Sequence, residues 1–244
     1  MDRMIYLGMT GAKTNMQRQD VLANNLANAS TTGFRAELQA VRAVPVRGDG
    51  ASTRVYALET TVGYDDSAGP INFTGRNLDV AMQGKSWMAV QGLDGTEAYT
   101  RFGSLTVNTE GTLMTQNGLT VMGDGGPITL PANTEPSIAP DGTVSAKQAN
   151  GRSTTVGRIK MVIPETKLVR GEDGLFRGAD GNDLPANPNA RLQDRSLEGS
   201  NVNPIENMVA MISAARQFET QMKLLQTAEA DEKAATQLLS GSGA

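Results

Sequence analysis

The residues that most often carry chemistry are missing from this sequence. Among its 244 residues there is no histidine and no cysteine. Histidine general bases, Ser-His-Asp triads and His- or Cys-ligated zinc are excluded on that ground. Thiolate nucleophiles and disulfides are excluded with them. Carboxylates are plentiful, Asp and Glu together numbering 26, and a carboxylate pair can hydrolyse glycosides. No motif organises them here. The acidic residues of Asp180–Asp183 do not have the spacing of a calcium loop and read as a solvated turn. Gly123-Asp124-Gly125-Gly126 lacks the dinucleotide-binding spacing, and no helix is expected after it. The expectation is a chain that is not an enzyme and needs no cofactor or metal.

The bulk composition narrows the partners. The net charge is −4 and aromatic residues make up 4%, with Trp87 the one tryptophan. Phosphate neutralisation needs clustered Lys and Arg, and single-strand stacking needs aromatics in a basic groove, so nucleic acid is not an expected partner. No apolar run approaches the roughly 20 residues that span a bilayer, and no membrane insertion is expected. Asp2, Arg3 and Lys13 near the start leave no apolar run of the kind a Sec signal needs.

What the residue types do favour is packing, and the elements follow from their spacing. Over residues 1–28, Ile5, Met9, Ala12, Met16, Ala23 and Leu26 recur at steps of three and four, interrupted at polar Gln19, which predicts a helix with an apolar stripe. It should end near Asn28, because Ser30-Thr31-Thr32-Gly33 follows and Gly33 can turn the chain in the left-handed region. At the other end, Asn203-Pro204-Ile205-Glu206 reads as a helix start. Asn203 is the cap, Pro204 suits the first helical position, and Glu206 stands where a capping box reaches back. Two seven-residue series run on from it: Met208, Ala215, Met222 and Met211, Phe218, Leu225. Helices of this kind are marginal alone, so the stripes need each other or another chain. Twelve methionines, several of them on these stripes, suit an adaptable packing surface.

The middle has a β texture. Asp94-Gly95, Asn117-Gly118, Asp124-Gly125, Asp141-Gly142, Asp173-Gly174 and Asp180-Gly181 mark tight turns. Strand-like segments lie between them, at Trp87–Gln91, Ser104–Asn108, Leu119–Met122 and Arg158–Ile163. No helix of ordinary length is expected between about 76 and 195. Arg35–Val44 reads equally as a helical extension or a strand.

Three blocks resemble the signature of bacterial flagellar rod and hook axial proteins. The first is Ala23-Asn24-Asn25-Leu26-Ala27-Asn28 with Ser30-Thr31-Thr32-Gly33-Phe34-Arg35. The second is Arg76-Asn77-Leu78-Asp79-Val80-Ala81-Met82-Gln83-Gly84. The third is Leu197-Glu198-Gly199-Ser200-Asn201-Val202-Asn203-Pro204-Ile205-Glu206-Asn207-Met208, followed by Arg216-Gln217-Phe218-Glu219. Within that family, Met1-Asp2-Arg3-Met4-Ile5-Tyr6 and Gly33–Ala40 look like the proximal-rod type. The distal-rod type and other hook-like subunits are the alternative; the distal-rod type usually carries a longer inserted stretch and a Phe-x-Asp-Leu element, and this sequence lacks that element.

The resemblance implies an α+β fold in which long N- and C-terminal helices pair, coiled-coil-like, around an inserted all-β middle. The expected divisions are 1–34 for the first helix and signature turn, 35–75 for an extended connection, 76–195 for the β domain and 196–244 for the second helix. It also implies a subunit that carries motor torque through the periplasm, exported by the flagellar type III apparatus without a cleaved signal. Its partners would be proximal and distal rod subunits and copies of itself. The assembly surface would comprise Ile5, Met9, Ala12, Met16, Leu26, Asn24, Asn25 and Asn28 with Met208, Met211, Ala215, Phe218, Met222 and Leu225. Asn203 and Glu206 would cap the second helix.

Overall fold

The computed structural model describes residues 2–45, 55–149 and 151–241, with side chains described over 8–45, 63–149, 151–231, 233, 234, 236 and 237. Helix α1 spans Asp2–Ala27 and helix α2 spans Pro204–Gly241. Strands lie between them. The chain forms two compact units: one of α1, residues 37–63 and residues 203–244, the other of residues 28–36 and 64–202.

In the helical unit, α1 and α2 lie side by side. Gly8 faces Leu225 and Gly11 faces Gln221, so the two helices run in opposite directions. A Cβ placed on Gly8 would come within 2.5 Å of the Leu225 side chain, and one on Gly11 within 2.7 Å of Gln221. The missing side chains let α2 approach closely. This also sets which face of α1 turns inward. Ala12 and Asn15 are buried and Gln19 half-buried, whereas Met9 and Met16 are 56% and 54% exposed. The buried stripe is therefore rotated from the one that apolarity alone marks out, because close approach selects small residues over large ones. On α2, Ala214 is buried and Met211, Ala215, Phe218, Gln221 and Leu225 are half-buried, at helical steps of three and four.

The ambiguous segment after α1 is a strand, β1 (Glu37–Pro45), paired with β2 (Val55–Tyr64) in a two-stranded sheet. The Asn25 side chain joins it to α1: its amide nitrogen donates to the Glu37 carbonyl at 3.0 Å, and its oxygen accepts from the Glu37 N–H at 2.8 Å.

The second unit is β throughout. Its largest sheet is centred on Trp87–Gln91, flanked by Glu97–Thr100 on one side and Thr120–Gly123 on the other. Trp87 and Ala89 face one buried cluster, with Tyr64, Tyr99 and Phe176. Met88 and Val90 face another, with Leu105, Leu113, Val121 and Met161. A strand buried on both faces reads as a continuous apolar run rather than an alternation, as Trp87–Val90 does. Several hairpins share one turn geometry. Gly95, Gly118, Gly142 and Gly174 each sit at positive φ and donate to the carbonyl three residues back, the left-handed position that glycine fills without steric cost. Two strands from the end of this unit close it. Leu192–Asp194 pairs with Val80–Met82, and Ser196–Glu198 pairs with Ile71–Phe73.

Candidate assembly interface

The signature turn after α1 is built from its own asparagines and glycine. The Thr31 N–H donates to the Asn28 carbonyl at 3.1 Å, and the Thr31 hydroxyl lies 3.1 Å from the Asn28 side-chain oxygen. Gly33 takes φ +68, and a Cβ there would fall 2.4 Å from the Arg101 carbonyl. Only glycine fits, for both reasons. Beyond it, the Ala36 N–H donates to Asn201 Oδ1 at 2.7 Å, while Asn201 Nδ2 donates to the Asp65 and Ser67 carbonyls at 3.0 Å each.

At the centre of this crossing is a buried charge cluster. Glu198, Arg35 and Arg101 are each 1% exposed. Glu198 Oε1 lies 2.9 Å from Arg35 Nη2 and accepts from the Gly69 N–H at 3.0 Å. Glu198 Oε2 accepts from Arg101 Nε at 2.7 Å. Arg101 Nη1 and Nη2 donate to the Gly84 and Met82 carbonyls, at 2.9 and 2.7 Å, and the guanidinium lies over the Trp87 ring. Arg35 Nη1 donates to the Ser67 carbonyl. Burial, and then the charge of Arg101, pull the Arg35 guanidinium below its ordinary pKa, while Glu198 pulls it back.

α2 begins at an asparagine cap. Asn203 Oδ1 accepts from the Ile205 N–H at 3.1 Å and the Glu206 N–H at 3.4 Å. The Glu206 side chain does not make the reciprocal contact with the Asn203 N–H; the Asn207 side chain instead donates to the Asn203 carbonyl at 2.9 Å. Past the cap, the two seven-residue series part. Met211, Phe218 and Leu225 are half-buried, while Met208 and Met222 stay exposed. Ile205, Val209 and Ile212 are exposed as well, which extends the apolar strip beyond the residues that spacing marked. The Ile5 side chain lies outside the described residues. Of the α1 candidates, Ala12 and Asn25 are buried, Leu26 and Asn28 half-buried, and Met9, Met16 and Asn24 exposed. Asn24 Nδ2 donates to the Glu37 carboxylate at 3.2 Å.

The charge cluster escaped the reading of the sequence. Arg101 and Glu198 are 97 residues apart, and neither carries a local motif that announces a partner. Gly8 and Gly11 gave a weaker signal, two small residues on one helix.

A cleft of about 320 Å³ opens in the β unit, lined by Thr31, Phe34, Thr100, Arg170 and Phe176 among others. Arg170 lies 4.7 Å over the Phe34 ring. Among the described residues, no group of three or more acidic side chains could hold a metal.

Comparison with known proteins finds family matches at both ends of the chain and in the middle. The family described as "Flagella basal body rod protein" matches residues 5–35. "Flagellar hook protein FlgE/F/G D1 domain" matches 81–146, and "Flagellar basal body rod FlgEFG protein C-terminal" matches 193–238. The flagellar basal-body rod protein FlgF of Salmonella typhimurium is 46% identical over 250 residues, covering 98% of this chain and 99% of that one. FlgF of Escherichia coli is 44% identical with the same coverage. The rod protein FlgG of Agrobacterium fabrum is 29% identical, over 93% of this chain and 95% of its own. This chain belongs to the flagellar basal-body rod protein family and is most like FlgF.

Proposed function

We propose that this chain is a structural, non-enzymatic subunit of the flagellar basal-body rod, of the proximal type. The observation that carries the reading is the 46% identity to a FlgF over almost the whole of both chains. The subunit assembles helically with other rod proteins and with copies of itself, and passes motor torque through the periplasm. It leaves the cytoplasm through the flagellar type III apparatus without a cleaved signal and uses no cofactor. No helix among the described residues is long and apolar enough to cross a membrane.

The terminal helices supply the means. Their pairing is coiled-coil-like, with Met211, Phe218 and Leu225 forming the seam toward α1. Met9, Met16, Met208 and Met222, joined by Ile205, Val209 and Ile212, form the surface offered to neighbouring subunits. Ala12, Leu26 and Ala215 complete the paired helices. Asn24, Asn25 and Asn28 act on that surface indirectly, by fixing the turn that follows α1. The exposed methionines suit contact with unlike neighbours, because thioether side chains repack at little cost.

The test is to express the chain, tagged in an exposed β turn, in a bacterium whose own FlgF gene is deleted, and to image purified basal bodies. The reading predicts restored swimming and label confined to the rod. Label elsewhere, or swimming that is not restored although the protein is made, would contradict it.

A further inference from the structure

Arg35, Arg101 and Glu198 come from three distant points of the sequence, and Glu198 comes last. A chain delivered N-terminus first, from a ribosome or through a channel, presents both arginines long before the carboxylate that both of them contact. Without that carboxylate the two buried guanidinium groups keep their bonds to backbone carbonyls but lose the buried carboxylate that both of them contact, and they repel one another. Burial and the charge of Arg101 hold the Arg35 guanidinium below its ordinary pKa even with Glu198 in place. The segment that brings Glu198 also completes other joins. Its carbonyl accepts from the Gly33 N–H at 2.8 Å, its carboxylate accepts from the Gly69 N–H, and its strand pairs with Ile71–Phe73.

We propose that Glu198 is a completion latch: the unit of residues 28–36 and 64–202 holds its folded state only once residue 198 has arrived to neutralise Arg35 and Arg101. A chain emerging in order therefore remains open over most of its length. Its use in export rests on the functional reading above, but the latch itself does not.

Full-length Glu198→Gln stands in for a chain still lacking its carboxylate, since it keeps the shape and removes the charge. Cleavage of purified protein by a low dose of protease under native conditions reads the open fraction. For Glu198→Gln, cleavage within residues 64–202 should quicken on the order of 100-fold. The charge-free variant Arg35→Met/Arg101→Met/Glu198→Leu should return to within about tenfold of the unaltered chain, since an apolar replacement of a buried ion cluster is often neutral. If Glu198→Gln resists cleavage like the unaltered chain, the latch is refuted. If the charge-free variant is cut as fast as Glu198→Gln, the shape of the cluster and its bonds to the backbone, rather than its charge, are responsible, and the latch is equally refuted. A Glu198→Gln chain that does not fold at all supports the latch if the charge-free variant folds, and counts against it if neither folds. All of these outcomes are read on purified protein and are independent of where the chain resides in a basal body.

Discussion

The β unit and the helical unit differ in how much of their own apolar surface they bury. In the β unit, Val80, Met88, Ala89, Val90, Leu105, Leu113 and Leu192 have no measurable exposure, and Trp87 has almost none. In the helical unit, the buried apolar side chains among the described residues are Ala12 and Ala214. Both are small, and each buries little area at roughly 25 cal/mol per Å². Meanwhile Ile205, Met208, Val209 and Ile212 on α2 stay exposed. One unit is complete in itself. The other leaves an apolar face exposed, and in the proposed function a neighbouring subunit covers that face and its binding adds to stability.

The largest effects that sharpen this contrast belong in the β unit. Trp87→Ala should cost about 3–5 kcal/mol, read as a lower urea midpoint by circular dichroism. An unchanged midpoint would mean that the cluster of Trp87, Tyr64 and Phe176 is not where this unit's stability resides. Gly33→Ala comes next. Positive φ and the Arg101 carbonyl both oppose a Cβ, so the loss should exceed about 1 kcal/mol. Asn203→Ala should cost about 1 kcal/mol in the melting of the helical unit. Glu206→Ala should cost less, because Asn207 rather than Glu206 makes the second contact at the cap.

Acid should act on the β unit in a smaller way. Burial pushes the Asp79 carboxyl up, but hydrogen bonds from Arg76 and Thr74 outweigh it and hold its pKa below the ordinary value. A carboxyl depressed in the folded state contributes stability above its unfolded pKa, near 3.9, and loses it as pH falls through the folded value. Stability should thus decline below about pH 4, and Asp79→Asn should flatten part of that decline in an acid titration. A slope identical to that of the unaltered chain would assign the acid response to other carboxylates.

The smallest stability effect carries the largest functional one. Met208→Asp and Ile212→Asp place a charge on an exposed face, so the isolated chain should change by no more than about 0.5 kcal/mol. Rod completion and swimming should nonetheless fail. Leu225→Asp should differ by also melting the helical unit, since Leu225 packs against Gly8. Unimpaired swimming in Met208→Asp would remove this face from assembly.

Much of the fold was legible because its signals are local. The Asn-Pro helix start, the Asp-Gly turns and the apolar run at Trp87 each act over a few residues, and each appears where spacing put it. Which face of α1 meets α2 was harder to read, because size decides it as much as apolarity does. Gly8 and Gly11 admit α2 closely, and Met9 and Met16 stay exposed. β1 stayed ambiguous for a different reason. Its strand state is fixed by pairing with β2 and by the Asn25 side chain, both outside the window that local propensity reads. The Glu198 cluster was out of reach altogether, because nothing in one sequence ties Arg35 or Arg101 to a glutamate so far away.

The contrast between a finished β unit and an unfinished helical one is tested most directly on the exposed face of α2. The chain has no cysteine, so Met208→Cys introduces a single reactive thiol. Its rate of alkylation by a soluble maleimide can be compared between the purified chain and intact basal bodies. Met208 is half exposed in the isolated chain, so the thiol should react readily there and at least about tenfold more slowly once assembly buries and desolvates it. Equal rates in the two states, in basal bodies that swimming cells have assembled, would show that this face remains open in the rod and would contradict the account.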